Sequence, residues 1–356
     1  MEKNFSHQHL RSSNNFDFIR LFAAILVIIT HSYTLKGSSD VDILFKLTSG
    51  SIQFSHLGVA IFFVISGYLI TQSSISSPSW KSYLWKRILR LLPGLFVVLI
   101  LCVFVLGPIF SSLPIRDYFS NGETSKFLLS VFIYFKNYSL PGVFENNPVD
   151  AVNGSLWTLA YEFTLYIFVM IAGLIGLVKK RNVLLLIWLL FLGIRIFLGN
   201  RFFWFSYASP YTFGLNIQYL FEWSFYFLSG MLFYLYRDKK IVDVRILVCT
   251  LLAYIIFALW KQTEVLNILN YMLIPFLIMY LSFLPSKVSH ISKFGDFSYG
   301  IYIYAFPVQQ TIIYVFDNRI SVAALILMSV LITLPLAILS WHLIEKKALK
   351  LKHLIK

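Results

Sequence analysis

The chain has few charges, few cysteines and no polar stretch long enough to form a separate water-soluble unit. Only 13% of its 356 residues are charged, against ~25% in an ordinary soluble domain, and 58% are hydrophobic. Apolar runs recur from one end to the other, which excludes a soluble globular domain and requires contact with lipid. Two cysteines, Cys102 and Cys249, both inside apolar runs, exclude a disulfide framework and suggest no metal site. Acidic residues are also scarce, 16 against 30 Lys and Arg, for a net charge of +14. In a soluble protein that excess would suggest nucleic acid. Here the basic residues fall in short segments between apolar runs and read as topology determinants, so no nucleic-acid partner is expected. The first apolar run is no cleavable signal peptide: it is too long, Arg20 interrupts it, and it lacks a small-x-small cleavage site.

The apolar runs number ten, each near the ~20 residues a helix needs to cross a bilayer. They lie at about 16–35, 56–74, 88–110, 155–178, 182–199, 216–236, 244–261, 266–284, 297–316 and 320–344. The expected fold is all-α, a polytopic membrane protein with about ten transmembrane helices and both termini cytoplasmic. Of the 30 Lys and Arg, twenty fall in the segments this topology places inside and eight in those it places outside, the bias that positive-inside insertion produces. Residues 1–15 then form a cytoplasmic N-terminal segment, 16–344 the transmembrane domain and 345–356 a basic cytoplasmic tail. A short apolar patch at Phe127–Phe135 cannot span and is expected to be re-entrant or interfacial.

Ionisable residues inside such runs are costly and mark candidate sites. The first run, Asn14 to Tyr33, carries Asp17, Arg20 and His31. Arg20 and His31 are eleven residues apart, about three helical turns, so they share a face with ~16 Å between them along the axis. Asp17, one turn before Arg20, can pair with it. In the second run Ser66-Gly67 permits close packing or a loosened helix lining a cavity. Arg87 and Arg90 stand one turn apart at the inner face, as phosphate-binding forks or as ordinary topology anchors. Glu162, about two turns inside the fourth run, falls at the same depth as His31 because the two helices run in opposite directions; a carboxylate beside an imidazole would make it a better base. Glu222 could bind a sugar hydroxyl or make a structural hydrogen bond. His342 and Glu345 could meet a donor or simply be solvated at a helix end. Tyr302 and the adjacent amides Gln309 and Gln310 need partners within an apolar helix and are candidate acceptor contacts.

Taken in order, R-x10-H (Arg20, His31), GVAIFFVISGYLI, R-x-x-R-L-L-P, SLWTLAYEF, GDFSYGIYIYAFPVQQ and WHLIEKKAL resemble the acyltransferase-3 family of integral-membrane acyltransferases over nearly the whole chain. The resemblance implies about ten membrane helices and transfer of an acyl group, most often acetyl from acetyl-CoA, onto a hydroxyl of a cell-surface or lipid-linked glycan at the cytoplasmic membrane. It implies essential roles for Arg20 and His31, with acyl-CoA as donor substrate and no tightly bound cofactor. On this reading His31, Glu162 and Arg20 are catalytic, and Arg87, Arg90, Arg20 and His342 bind the donor. The chain departs from the family pattern at Ala60, where members often carry Asp, at Ala305, where many carry His, and at Lys347, usually Pro. Some relatives carry an added hydrolase-like domain; with twelve residues after Ile344 none is expected here. The rival class is a secondary transporter or glycolipid flippase, but neither an inverted repeat nor a matched pair of broken helices is visible.

Overall fold

In lipid an apolar segment can satisfy its own backbone only as a helix, unless strands close into a barrel. The computed structural model describes residues 14–199, 201, 215–239, 243–286, 288 and 293–355, and among them no strand forms beyond one isolated bridge, Ser111 to Val143. Most of the N-terminal segment expected over 1–15 lies outside the described residues. A helix stands at each of the ten expected positions. These are α1 Phe16–Leu35, α2 Phe54–Ser76, α3 Trp80–Leu101, α4 Trp157–Leu174, α5 Arg181–Leu198, α6 Ile217–Leu235, α7 Val244–Leu259, α8 Thr263–Phe283, α9 Ser298–Val315 and α10 Val322–Ser340. Seven of these segments are long and apolar enough to cross a membrane. The count of ten is therefore only partly supported by length and composition. α7 has 16 residues, and α6 and α9 carry the polar residues Gln218, Glu222, Gln309 and Gln310. Phe197 and Leu259, 88% and 77% exposed, belong to an apolar outer surface of the kind lipid covers.

Between α3 and α4 the chain forms short helices, Ile115–Ser120 and Gly122–Leu128, and a 3-10 turn, Leu129–Phe132. The patch at Phe127–Phe135 makes no span: Phe127 is buried while Phe132 and Phe135 stand exposed.

Helix α2 is the centre of the bundle, packed against α1, α4 and α6. Glycines let it approach its neighbours at backbone distance. A Cβ added to Gly58 would lie 2.6 Å from the Ala23 carbonyl oxygen of α1, and one on Gly67 or Gly230 would collide with the carbonyl oxygens of Phe227 or Val64 across the α2–α6 seam. Small residues at such crossings supply the van der Waals contact that associates helices in lipid, where no hydrophobic drive remains. At the C-terminal end of α1, the Thr30 hydroxyl donates to Asp42 (2.7 Å) and accepts from the Ser55 amide (2.8 Å). Asp42 also accepts from the amides of Phe45 and Phe54. One buried carboxylate thus fixes the α1–α2 connection.

Gly230→Leu should lower the thermal midpoint of the purified protein by the equivalent of ~1–3 kcal/mol, the usual cost of overpacking. Gly193→Leu, into open space on α5, should change it little. Equal losses at both positions would show that the seam is not a packing constraint.

Candidate active site

Three elements meet at the N-terminal end of α1. Arg20, on its second turn, and Arg90, at the middle of α3, both donate to Asp296 Oδ2 at 2.5 Å. Asp296 lies two residues before α9 and also accepts from the Ser298 hydroxyl at 2.5 Å. Burial alone would raise the Asp296 carboxyl; the two guanidinium charges outweigh it and hold the group below the usual carboxylate range. A π-helical turn, Trp341–Glu345, continues α10 and brings Glu345, 2% exposed, to 3.7 Å from Arg90 Nη1. Glu345 also accepts from Ser340 at 2.9 Å. Two arginines thus face two carboxylates. Phe62 lies beneath the Arg20 guanidinium, and Tyr299 and Trp341 flank that of Arg90, at 5.6–6.0 Å. Such faces add cation–π attraction.

Arg87, one turn before Arg90, sits between the Tyr83 and Tyr166 rings and donates to Ser73 at 3.4 Å. Its Nε, like that of Arg20, is buried without an acceptor. Arg20, Arg87 and Arg90 open onto a cavity of about 680 Å³, which Lys86, Arg237 and Lys352 also line; among the described residues no Asp or Glu lines it. A smaller cavity of about 30 Å³ shares Arg20, Ser66 and Arg90 with it and adds Phe62, Glu162 and Tyr302. Glu162 accepts from the hydroxyls of Tyr166 and, at 3.2 Å, Ser66. Tyr302 is bonded to Thr158 Oγ1 at 2.6 Å and donates to the Ser155 carbonyl at 2.9 Å.

His31 stands apart from this group. Its ring meets the edge of Phe306 at 5.5 Å, its Nδ1 is buried without a partner, and it lines neither cavity. The expected His31–Glu162 contact is therefore not made. Opposed helix directions give two residues a common depth but say nothing of azimuth, and Glu162 turns to α2 and to its own helix. The expected Asp17–Arg20 pair is likewise replaced, because the long Arg20 side chain reaches Asp296, 276 positions away.

The remaining candidates are dispersed. Glu222 lies 3.3 Å from His56, whose ring packs on Trp223. Gln309 spends its amide on the Ile28 carbonyl and Ser32 hydroxyl of α1. Gln310 donates to the Val149 and Ala151 carbonyls and accepts from Asn147. His342 is exposed beside Phe297 and lines neither cavity; Glu345 reaches the arginines in its place. Asp296 is the residue that reasoning on the sequence did not single out, although it is the acid of the GDFSYG motif.

Fold and site together make a polytopic membrane protein with a strongly basic cavity open to one side. A family profile described as an acyltransferase domain matches residues 13–342, and the chain belongs to the acyltransferase-3 family: it is an acyltransferase. It is 31% identical over 352 residues to an "O-acetyl transferase" of Shigella phage Sf6, covering 96% of this chain and 97% of that protein. It is also 31% identical over 364 residues to "Nodulation protein 10" of Rhizobium leguminosarum bv. viciae, covering 95% and 94%. No solved structure gives a significant match.

Asp296→Asn should cost ~3 kcal/mol of stability, because it leaves two buried guanidinium groups facing a neutral amide. Asp17→Asn should cost far less, and thermal unfolding of the two variants side by side checks this. An equal loss at Asp17 would mean that the local pair matters as much as the distant one.

Proposed function

We propose that the protein is an O-acetyltransferase that takes an acetyl group from acetyl-CoA on the cytoplasmic side and delivers it to a hydroxyl of a cell-surface or lipid-linked glycan on the outer side of the cytoplasmic membrane. The observation that carries this reading is the cavity lined by Arg20, Lys86, Arg87, Arg90, Arg237 and Lys352, with no acid among its described lining residues, suited in charge and size to a multiply phosphorylated donor. The name of the phage Sf6 relative, "O-acetyl transferase", supports acetyl as the group and oxygen as its destination. The excess of Lys and Arg in the segments on the cavity side supports a cytoplasmic position for that end.

In this reading Arg87 supplies a planar fork to the diphosphate, and Arg20, with Nε unused, adds a donor deeper in. The pantetheine arm extends along α1 past Ser66, Glu162 and Tyr302. His31, ~16 Å farther along the helix, accepts the proton of the glycan hydroxyl as its oxygen attacks the thioester carbonyl carbon. The carbon–sulfur bond breaks, the acetyl group passes to oxygen, and the proton on His31 is returned to the departing CoA thiolate. Glu162 acts from the smaller cavity by holding Tyr166 and Ser66 beside the acyl arm, without touching His31.

Membranes containing the protein should transfer radiolabel from [¹⁴C]acetyl-CoA to endogenous glycan, and His31→Ala should lose ~10²–10⁴-fold of that rate while remaining monodisperse in detergent. Arg20→Lys, which keeps charge but loses the fork, should lose more than tenfold, and Glu162→Gln less than His31→Ala. Near-normal transfer by His31→Ala would remove it from the chemistry. Gradient-driven glycan uptake without label transfer would make the protein a transporter.

A further inference from the structure

The donor cavity has a further wall, which begins at the end of the WHLIEKKAL motif and runs on past it, away from the arginine pair. Past the π-turn of α10, the helix Lys346–Lys350 and the 3-10 turn Leu351–His353 run back across the N-terminal part of α3. There the Trp85 indole N–H donates to the Leu351 carbonyl at 3.0 Å. The bond holds the turn so that Leu349, Lys352, His353 and Ile355 all line the cavity.

Charge within the cavity is graded. The deepest cations, Arg20 and Arg90, already face Asp296 and Glu345, so little of their charge is left for a ligand. Toward solvent the balance changes. Among the described residues, Arg87 has no carboxylate partner within ion-pair reach, the Arg237 side chain donates to the Tyr234 carbonyl and to no carboxylate, and the side chains of Lys352 and His353 are exposed at the rim with no ion pair. Uncompensated positive charge therefore increases from the floor of the cavity to its mouth.

An acyl-CoA has a matching polarity. Its thioester must point inward to react, which leaves the adenosine, with its 3′-phosphate dianion, at the mouth. We propose that the turn Leu351–His353 is part of the donor site and that Lys352 and His353 hold the 3′-phosphate, while Arg87 takes the diphosphate. This assignment rests on the acyl-CoA reading above and goes beyond it in naming which donor group the turn reads. The compact, three-donor ammonium of lysine suits a terminal phosphate approached from several directions.

The test needs no acceptor. The full chain in nanodiscs of zwitterionic phosphatidylcholine is titrated with CoA and with 3′-dephospho-CoA, as wild type, as Lys352→Ala/His353→Ala and as Lys352→Arg. Wild type should bind CoA about tenfold more tightly than 3′-dephospho-CoA, the order expected for a charge-assisted contact. The double variant should bind the two alike, and Lys352→Arg should keep the preference and thereby report an intact fold. The assignment is overturned if wild type does not distinguish the ligands, or if the double variant weakens both equally, which would make the turn only a wall. It is also overturned if the preference arises only after anionic phosphatidylglycerol is added, which would assign the turn to lipid headgroups. Binding of neither ligand by wild type would instead remove the acyl-CoA donor itself, and this proposal with it.

Discussion

Two arginines at one carboxylate is the arrangement on which this end of the molecule depends. Arg20 and Arg90 come from helices widely separated in sequence, and in a medium of low dielectric two guanidinium groups converging on one point would repel strongly. Asp296, between them, turns that repulsion into a junction joining α1, α3 and the start of α9. Tyr299, the second residue of α9, extends the joint by donating to the Leu91 carbonyl at 2.7 Å, and a Cβ on Gly94 would lie 2.9 Å from the same tyrosine ring. The floor of the basic cavity is this junction, so the cavity surface and the scaffold share the same side chains.

The opposite end is held by hydrogen bonds to hydroxyls, amides and one carboxylate, with no arginine among them. Thr30 is tied to Asp42 and the Ser55 amide, and Ser32 accepts from Gln309. The residues on both sides of His31 are thereby fixed, which orients its backbone although its own Nδ1 has no partner. Gln310 fastens the 147–151 segment to α9, and Phe306, the neighbour of the imidazole, fills the space above Gly154. Small residues complete the packing: Ala305 sits among Ala24, Ile28 and Ala337, where an imidazole would have no room.

What was legible in the sequence follows the range of the interactions concerned. Helix positions depend on local apolarity, and all ten could be placed from it. The common face of Arg20 and His31 depends on helical period alone. Gln309 and Gln310 announced a need for partners, but the partners are groups 159 to 281 positions away, and no local pattern names them. The same limit explains Asp296: a nearby acid, Asp17, offered itself on the helix stripe, whereas the true partner is set by how α1 and α9 pack. Glu162 shows the complementary case, in which depth along the membrane could be read and rotation about the helix axis could not. Glu345 enters the cluster only because a π-turn shifts the residues after Ser340, an irregularity that an apolar run does not encode.

The backbone contact between α2 and α6 limits the kind of movement open to this protein. Where Gly67 and Gly230 meet the facing carbonyls, there are no side chains to slide over or re-pack, and Gly58 against Ala23 adds α1 to the same block. Transporters alternate by rocking one group of helices against another on microsecond-to-millisecond times; a seam with carbonyl oxygen against Cα has no second register to rock into. On the proposed reading, an acyl arm reaching from the basic cavity toward His31 runs past Phe62 and Tyr302, which line the smaller cavity, and Phe306, whose ring meets the imidazole. Its passage would then call for the turning of individual aromatic rings, a property of rotamers and not of the α2–α6 seam.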